Sequence, residues 1–187
     1  MLKYNICFIR QADTVLLLNR EHPSWMGAWN GVGGKLEPGE TARESVLREV
    51  REETGITLPS VDFRGVVTWA VDGKAFGGMY VYSAELPAGY RYDTPLKTDE
   101  GILDWKTVAW ITHPENQGVA GNLPKSIRRI IEDPGCFDHR CFYENGRLVR
   151  EEFVAIGSEW EYDADIETRI FANRTEVRHS VPEIHPA

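Results

Sequence analysis

The segment 34–56 reads GKLEPGETARESVLREVREETGI and carries the most specific pattern of the chain. Thr41 is followed three residues later by Glu44, which is a capping-box pattern, and neither Gly nor Pro occurs again before Gly55. The segment therefore predicts a helix of about four turns that begins after Thr41 and ends at Gly55.

One face of this helix is acidic. At ~100° per residue, Glu49, Glu52 and Glu53 fall on one stripe, and an apolar stripe that includes Val46 and Val50 lies beside it. Like charges on adjacent turns cost roughly 0.2–0.5 kcal/mol per exposed pair, so a purely structural helix gains nothing from them. A divalent cation bound between these carboxylates would replace their repulsion by attraction to the cation. Carboxylate oxygens suit Mg²⁺ or Mn²⁺.

The competing interpretation is a solvated acidic face balanced by arginines, among them Arg48, whose planar fork can hold a carboxylate. Glycines ahead of the helix favour a ligand site instead. Gly31, Gly33 and Gly34 let the backbone approach a ligand closely. Their spacing matches neither the dinucleotide-binding G-x-G-x-x-G nor a G-K-[ST] phosphate loop.

These residues resemble the Nudix hydrolase box, G-x5-E-x7-R-E-U-x-E-E-x-G-U with U aliphatic. The fixed positions fall on Gly34, Glu40, Arg48-Glu49-Val50, Glu52-Glu53 and Gly55-Ile56. The resemblance covers about residues 3–150 and is strongest over 29–56. It implies an α/β fold, an α/β/α sandwich with a mixed sheet, and hydrolysis of a nucleoside diphosphate linked to another group.

The resemblance also implies roles for individual residues. The expected ligands of Mg²⁺, or of Mn²⁺ in its place, are the Gly33 carbonyl, Glu49, Glu52, Glu53 and Glu100. Glu100 follows Asp99 in a loop segment that resembles the Nudix loop over the box helix. Either Glu53 or Glu100 is expected to accept the proton of the attacking water, and Arg48 completes the catalytic set.

The segment 29–35, WNGVGGK, resembles the oxidised purine nucleoside triphosphatases, the 8-oxo-dGTP diphosphatase group. In that group the Asn reads the base edge, a role that the amide of Asn30 can fill. Alternatively, Asn30 only holds its loop. Trp29, Gly34, Lys35 and Arg20 are the other expected substrate contacts, and the two cations would balance phosphate charge. The implied reaction releases a monophosphate and pyrophosphate.

The chain departs from that group at 113–119, HPENQGV, where several members carry a tryptophan and paired acids. Trp25, Phe76 and Trp110 are candidates for stacking a base. Two alternatives therefore stay open. One is a Nudix hydrolase of an ordinary NTP, a dinucleoside polyphosphate, ADP-ribose or a nucleotide sugar. The other is a nucleotide-sensing regulator, which the intact box disfavours.

Composition bounds the class of protein. The 187 residues are 42% hydrophobic and 11% aromatic, enough for one packed domain with an extension. A net charge of −8 argues against nucleic-acid binding and is compatible with a small nucleotide if a metal offsets its charge. No apolar run approaches ~20 residues and no signal-peptide pattern opens the chain, so we expect no membrane partner and a cytoplasmic protein.

We expect a Nudix domain over 1–135 and an extension over 136–187 that packs on the domain or forms a homodimer contact. Tyr4 to Arg10 and Thr14 to Asn19 read as a hairpin. Further strands are predicted over 61–69, 79–84 and 104–110, and a second helix over 125–132.

The extension contains Asn145-Gly146, a strong hairpin signal between 141–143 and 148–153. Alternation over 160–167 predicts a further strand, and a loose tail is expected from Arg178. Three cysteines make a disulfide framework improbable. Cys136, His139 and Cys141 lack a fourth ligand and the usual zinc spacing, so packing roles are expected for them.

Overall fold

The computed structural model describes residues 2–23 and 25–175. In this range nine strands form one mixed sheet: β1 (Leu2–Gln11), β2 (Thr14–Arg20), β3 (Trp29–Asn30), β4 (Asp62–Val71), β5 (Ala75–Glu85), β6 (Leu96–Lys97), β7 (Gly101–Thr107), β8 (Cys136–Glu144) and β9 (Arg147–Ile156). The helices are α1 (Ala42–Thr54), α2 (Val108–Ile111), α3 (Leu123–Glu132), α4 (Ile166–Thr175) and a 3₁₀ helix (Ser158–Tyr162).

The strand order is β6-β7-β2-β1-β5-β4-β8-β9, and β3 pairs with β2. β1 with β5 and β4 with β8 are parallel pairs, whereas the other pairs are antiparallel. Two cores lie on opposite faces of the sheet because side chains alternate along each strand. One core receives α1, the 3₁₀ helix and α4, and the other receives α2 and α3. The predicted α/β/α sandwich is confirmed.

Local signals determine α1 as expected. The Thr41 hydroxyl accepts a hydrogen bond from the Glu44 N–H, and the Glu44 carboxylate accepts one from the Thr41 N–H at 2.9 Å. Gly55 takes a left-handed conformation with φ 73° and donates its N–H to the Arg51 carbonyl at 2.9 Å. Val46 and Val50 are buried against the sheet, which leaves the acidic stripe facing away from the core.

Both predicted hairpins are confirmed. β1 and β2 pair across the short turn, and β8 and β9 turn at Asn145 and Gly146, both with positive φ as a tight primed turn requires. β8 hydrogen-bonds to β4, so the chain beyond residue 135 continues the central sheet. The domain boundary at 135 and a homodimer contact stay predictions, and the expected tail from Arg178 lies outside the described residues.

The strand predicted over 104–110 is partly wrong. β7 stops at Thr107, whose hydroxyl accepts a hydrogen bond from the Trp110 N–H at 3.1 Å and so caps α2. The second predicted helix is confirmed and begins two residues early, at Leu123, because Pro124 fits the first turn of a helix.

The strand predicted over 160–167 is wrong, because a 3₁₀ helix and the start of α4 occupy that segment. The alternation of apolar and charged residues predicted a strand with its charged side chains exposed, but one of these charged residues is buried. Glu161 has a side chain only 4% exposed and accepts two hydrogen bonds from Arg43 of α1, at 2.9 and 2.8 Å. Trp160 is buried beside it, whereas Tyr162 is 68% exposed. No helix among the described residues is long and apolar enough to cross a membrane.

Candidate active site

The loop that precedes α1 runs along β1. The N–H of Asn5 donates to the Gly34 carbonyl at 2.9 Å, and the N–H of Cys7 donates to the Val32 carbonyl at 2.7 Å. A Cβ on Gly34 would lie 2.5 Å from the carboxylate atoms of Glu49. The glycine therefore lets the acidic stripe of α1 approach the loop backbone.

Arg48 organises three carboxylates at once. Its Nε and Nη2 donate to the two oxygens of Glu40 at 2.7 and 3.0 Å, and its Nη1 donates to Glu49 and Glu52 at 3.0 Å each. Nη2 also donates to the Lys35 carbonyl at 3.2 Å, which ties the helix to the loop. The Arg48 hydrogen bonds lower the pKa of Glu40 to about 2. Arg48 is thus a positioning residue within the acidic cluster.

Glu53 is the acid of this cluster whose pKa is raised furthest above its ordinary value. Its Oε2 accepts a hydrogen bond from the Gly33 N–H at 2.9 Å, so the side chain is held against the glycine loop. Burial raises the pKa of Glu53 to about 7, and the charges of Glu49 and Glu100 act in the same direction, whereas the Gly33 hydrogen bond and Arg20 oppose them. Burial also raises the pKa of Glu49, against the opposing effect of Arg48.

The acidic stripe faces an open cleft of about 540 Å³. Its walls are Glu49, Glu52, Glu53, Thr54 and Gly55 on one side and Leu96, Thr98, Asp99 and Glu100 on the other. The opposite loop is anchored by its backbone, because the Glu21 N–H donates to the Glu100 carbonyl at 3.0 Å. The structure therefore brings together the four predicted carboxylate ligands, with Asp99 beside them.

Of the two predicted cationic contacts, Arg20 lies next to a residue of this cleft. Arg20 Nη2 is 3.9 Å from the Glu100 carboxylate, and its buried Nε has no hydrogen-bond partner among the described residues. Lys35 is exposed, and within the described part of the chain its ammonium group makes no ion pair. The contacts of Arg20 and Lys35 with phosphate both stay predictions.

A second cavity of about 480 Å³ lies on the other face of the sheet and is mainly apolar. It is lined by Ile6, Phe8, Trp25, Asn30, Val67, Trp69, Val71, Met79, Asn122, Leu123, Ser126, Ile130, Cys141, Tyr143 and Gly146. The Asn30 Oδ1 accepts a hydrogen bond from the Gly31 N–H at 2.9 Å, whereas its amide nitrogen has no protein partner in residues 2–23 and 25–175. Asn30 therefore holds its loop and still presents donors to the cavity.

The aromatic candidates separate in the structure. Trp29 packs against Trp110, with ring centroids 6.5 Å apart, and carries the Lys106 ammonium 4.2 Å from its ring. Trp25 lines the cavity, and Phe76 does not. The predicted contact of Trp29 with substrate stays a prediction.

Comparison with known proteins identifies the family of this chain. A family model described as NUDIX domain matches residues 3–133. The chain belongs to the Nudix family. The resemblance seen in the box is thereby confirmed.

Curated Nudix relatives match over about half of this chain. Uncharacterized Nudix hydrolase YvcI of Bacillus subtilis (strain 168) is 35% identical over 103 residues, which are 54% of this chain and 63% of that protein. The Oxidized purine nucleoside triphosphate hydrolase of Mus musculus is 27% identical over 103 residues, 54% of this chain and 64% of that protein. The chain thus spans less than two thirds of the length of these relatives.

Solved structures show the same fold. The MutT protein of Bacillus halodurans superposes with a TM-score of 0.68 at 23% identity, covering 82% of this chain and 97% of that one. The MutT protein of Methanosarcina mazei Go1 gives a TM-score of 0.54 at 27% identity, covering 68% of this chain and 90% of that one.

The sequence of this Nudix chain did not predict the residues that line the second cavity. Trp69, Met79 and Tyr143 read as ordinary strand residues, and Cys141 as packing. Trp69 lies directly across from Cys141 in the β4–β8 register, so strand pairing brings them to one surface. The alternation of side chains along each strand indicated which residues share a face, but it did not indicate which strands are neighbours in the sheet.

Proposed function

We propose that this Nudix domain is a Mg²⁺-dependent nucleoside triphosphate pyrophosphohydrolase whose substrate is an oxidised purine nucleotide of the 8-oxo-dGTP type. The loop 29–34 carries the proposal, because it connects the apolar cavity with the acidic cleft. Asn30 lines the cavity, and three residues later the Gly33 N–H is bonded to Glu53 of the cleft. A nucleotide has a comparable division into an uncharged aromatic base and an anionic phosphate chain.

The donor set of the cleft fits a hard divalent cation. Glu49 and Glu53 are partly buried carboxylates, Glu52 is exposed at the same cleft, and Glu100 lies across from them. These residues, with the Gly33 carbonyl, would hold Mg²⁺ or Mn²⁺. The bound cation supplies neutralisation of phosphate charge and orientation of a water for attack on phosphorus.

Proton transfer belongs to the chain's own carboxylates. Glu53 is fixed by the Gly33 N–H, and Glu100 faces it from the anchored loop, so both can reach a water in the cleft. Arg48 points its donors at Glu40, Glu49 and Glu52, and its role is to hold these carboxylates in position. Arg20 lies beside Glu100 and would bind an oxygen of the substrate's phosphate chain next to the cleft.

Recognition of the base is assigned to the cavity. The Asn30 amide nitrogen offers two donors, and the Oδ1 that accepts from Gly31 keeps a second lone pair, so the side chain can meet both a donor and an acceptor of a purine. Trp69, Met79 and Tyr143 provide apolar surface around it. The mouse relative named as an oxidized purine nucleoside triphosphate hydrolase supports this choice of substrate.

A second candidate is a Nudix hydrolase of another nucleoside diphosphate derivative. It is favoured by the segment 113–119, which lacks acidic residues in a pair, and by the predominance of apolar side chains in the cavity. An ordinary NTP, a dinucleoside polyphosphate, ADP-ribose or a nucleotide sugar would then take the place of the oxidised purine.

The test is pyrophosphate release in Mg²⁺ from 8-oxo-dGTP, dGTP, other NTPs, ADP-ribose and diadenosine polyphosphates, compared by kcat/KM. We expect the oxidised purine triphosphate to lead, and Asn30→Ala to reduce that preference by about 10-fold or more. A flat profile, or a preference that survives Asn30→Ala, would assign the base contact elsewhere.

The catalytic assignment has its own variant. Glu53→Gln should lower kcat by about 10²–10⁴-fold at saturating Mg²⁺. The matched control is Glu37→Gln, since Glu37 is an exposed acid in the loop that precedes α1 and does not line the cleft. Near-normal turnover of Glu53→Gln would remove Glu53 from the mechanism.

A further inference from the structure

A second cluster of metal-ligating side chains lies far along the chain from the Nudix box, in the β8–β9 hairpin. His139 and Cys141 are two residues apart on β8 and so share one face of the sheet. Glu151 of β9 lies directly across from Cys141 in the register. Cys141 is fully buried, and the side chains of His139 and Glu151 are 4% and 5% exposed. The cluster is therefore an interior feature.

The three ligand atoms converge on one point. The His139 Nε2 lies 2.9 Å from the Glu151 Oε2 and 3.5 Å from the Cys141 Sγ. In residues 2–23 and 25–175 this is the one group in which three such atoms of His, Cys, Asp or Glu all lie within 4.8 Å of one another. Cys136, the third member of the pattern seen in sequence, contacts the Phe63 carbonyl at 3.3 Å and belongs to the other core.

This arrangement is not that of a catalytic triad. In a relay, the carboxylate would orient the imidazole through the nitrogen remote from the thiol. Here the carboxylate and the thiol both face the same nitrogen, Nε2, and the buried Nδ1 has no hydrogen-bond partner among the described residues. These three atoms form a candidate coordination set once the proton between Nε2 and Oε2 has moved to Nδ1, which leaves a lone pair on Nε2.

The N···S distance matches an edge of a tetrahedral zinc site, and the N···O distance is shorter than such an edge. With Zn–N ~2.0–2.1 Å, Zn–S ~2.3 Å and Zn–O ~2.0–2.2 Å, tetrahedral angles give an N···S edge of about 3.5 Å and an N···O edge of about 3.3 Å. The observed N···S separation is 3.5 Å, and the observed N···O separation of 2.9 Å has to open by only about 0.4 Å.

The charges favour a cation. A thiolate and a carboxylate together carry two negative charges once the thiol has released its proton, and the Lys125 ammonium at the edge of the site contributes one positive charge beside the divalent ion. Lys125 of α3 bonds the other oxygen of Glu151, Oε1, at 2.7 Å, and so orients the carboxylate without occupying Oε2. The nitrogen and sulfur donors select zinc over the magnesium that suits the carboxylates of the box.

We propose that His139, Cys141 and Glu151 form a zinc site that is separate from the Nudix metal site, with a water or an open position as the fourth ligand. The ion would crosslink β8 to β9 and, through Lys125, secure the hairpin under α3. Cys141 also lines the apolar cavity, so the ion would lie beside the surface assigned to the nucleoside. The proposal does not depend on the substrate proposed above.

Cobalt spectroscopy of the full chain tests it. The protein is freed of metal by a chelator, supplied with excess Mg²⁺ to fill the carboxylate site, and titrated with Co²⁺. We expect a near-ultraviolet thiolate-to-cobalt charge-transfer band that saturates at one equivalent, a band that oxygen ligands of the box cannot give. It should be lost in Cys141→Ser and kept in Cys136→Ser, a matched control with another buried cysteine. No band, or a band that persists in Cys141→Ser, overturns the proposal.

Zinc affinity keeps the test decisive if Cys141→Ser fails to fold. Glu151→Gln retains the thiol and most of the side-chain volume, and should weaken Zn²⁺ binding by at least about 10-fold against a competing chelator. Added Zn²⁺ should also raise the Tm of wild type and of Cys136→Ser, and raise it less in Glu151→Gln. Equal zinc affinity in wild type and Glu151→Gln excludes the site.

Discussion

Replacement of Gly34 by alanine tests whether the glycine loop sets the position of a functional carboxylate. An alanine Cβ would lie 2.5 Å from the carboxylate carbon and from both oxygens of Glu49. Unstrained contacts between such atoms are about 3.5–4.0 Å, so the Glu49 carboxylate has to withdraw by about 1 Å. Gly34 is outside the left-handed region, so backbone strain adds nothing to this effect.

Stability and activity should respond differently. The obstructing atoms are the end of a flexible side chain that is 15% exposed, so rotation relieves the clash, and we expect the free energy of unfolding to fall by only about 1 kcal/mol. Displacement of a reacting group by about 1 Å costs on the order of 10²-fold in rate. We therefore expect kcat/KM to fall by about 10²-fold and the Mg²⁺ concentration for half-maximal rate to rise.

The assay is steady-state pyrophosphate release over a range of Mg²⁺ concentrations, with unfolding by urea measured in parallel. Gly89→Ala is the control, because Gly89 also avoids the left-handed region and a Cβ there meets no atom within 4 Å. If Gly34→Ala kept kcat/KM within about twofold of wild type, the contact between Gly34 and Glu49 would have no part in the reaction. A loss of more than about 3 kcal/mol of stability would refute the reasoning differently, by showing that the backbone had moved.

Three further predictions concern two ion pairs made by residues of α1 and the cap that ends this helix. Arg48 lowers the pKa of Glu40 in the folded protein to about 2. The pair's contribution to the free energy of unfolding is therefore complete above the unfolded pKa of ~4.3 and is lost as the pH falls through about 2. After treatment with a chelator, Glu40→Gln should thus be less stable than wild type at pH 7, by about 1 kcal/mol in urea unfolding, and this gap should shrink as the pH falls to about 2; a gap independent of pH would contradict the pairing. Arg43→Ala should cost about 2 kcal/mol in urea unfolding by leaving Glu161 buried without its cation, and a double-mutant cycle with Glu161→Gln that shows no coupling would contradict this. Gly55→Ala should lower the free energy of unfolding by about 1–2 kcal/mol, measured by the fall in Tm, because a residue with a side chain is strained at a φ of 73°. An unchanged Tm would mean that the cap had rearranged.

Local signals made the Nudix box predictable. Thr41 and Glu44 are three residues apart, and Gly55 ends the same helix, so each signal acts within one or two turns and needs no tertiary context. The same holds for Asn145 and Gly146, whose positive φ values set the β8–β9 turn. The acidic cleft was predictable in part for the same reason, since three of its carboxylates lie on one helix.

Prediction failed where burial depends on a distant partner. Glu161 alternates with apolar residues and therefore looked exposed, yet Arg43, 118 positions away in sequence, makes its burial favourable. The apolar cavity shows the same limit, since Trp69 and Cys141 meet only through the pairing of β4 with β8. Periodicity identifies which residues share a face of a strand, and it leaves open which strands lie next to one another.

The loop 29–34 explains why the two parts of the proposed site belong together. It is held to β1 by three backbone hydrogen bonds, two donated by Asn5 and Cys7 and one donated by Val32 to the Cys7 carbonyl, and to α1 by the bond between Gly33 and Glu53. Asn30 on one side of it and the acidic stripe on the other are therefore fixed relative to each other by the sheet. A base bound at Asn30 would place its phosphates at a set distance along this loop, so specificity for the base and attack on phosphorus depend on the same backbone. Substitutions that loosen the loop should for this reason reduce substrate selectivity and turnover together, whereas changes at Asn30 alone should reduce selectivity first.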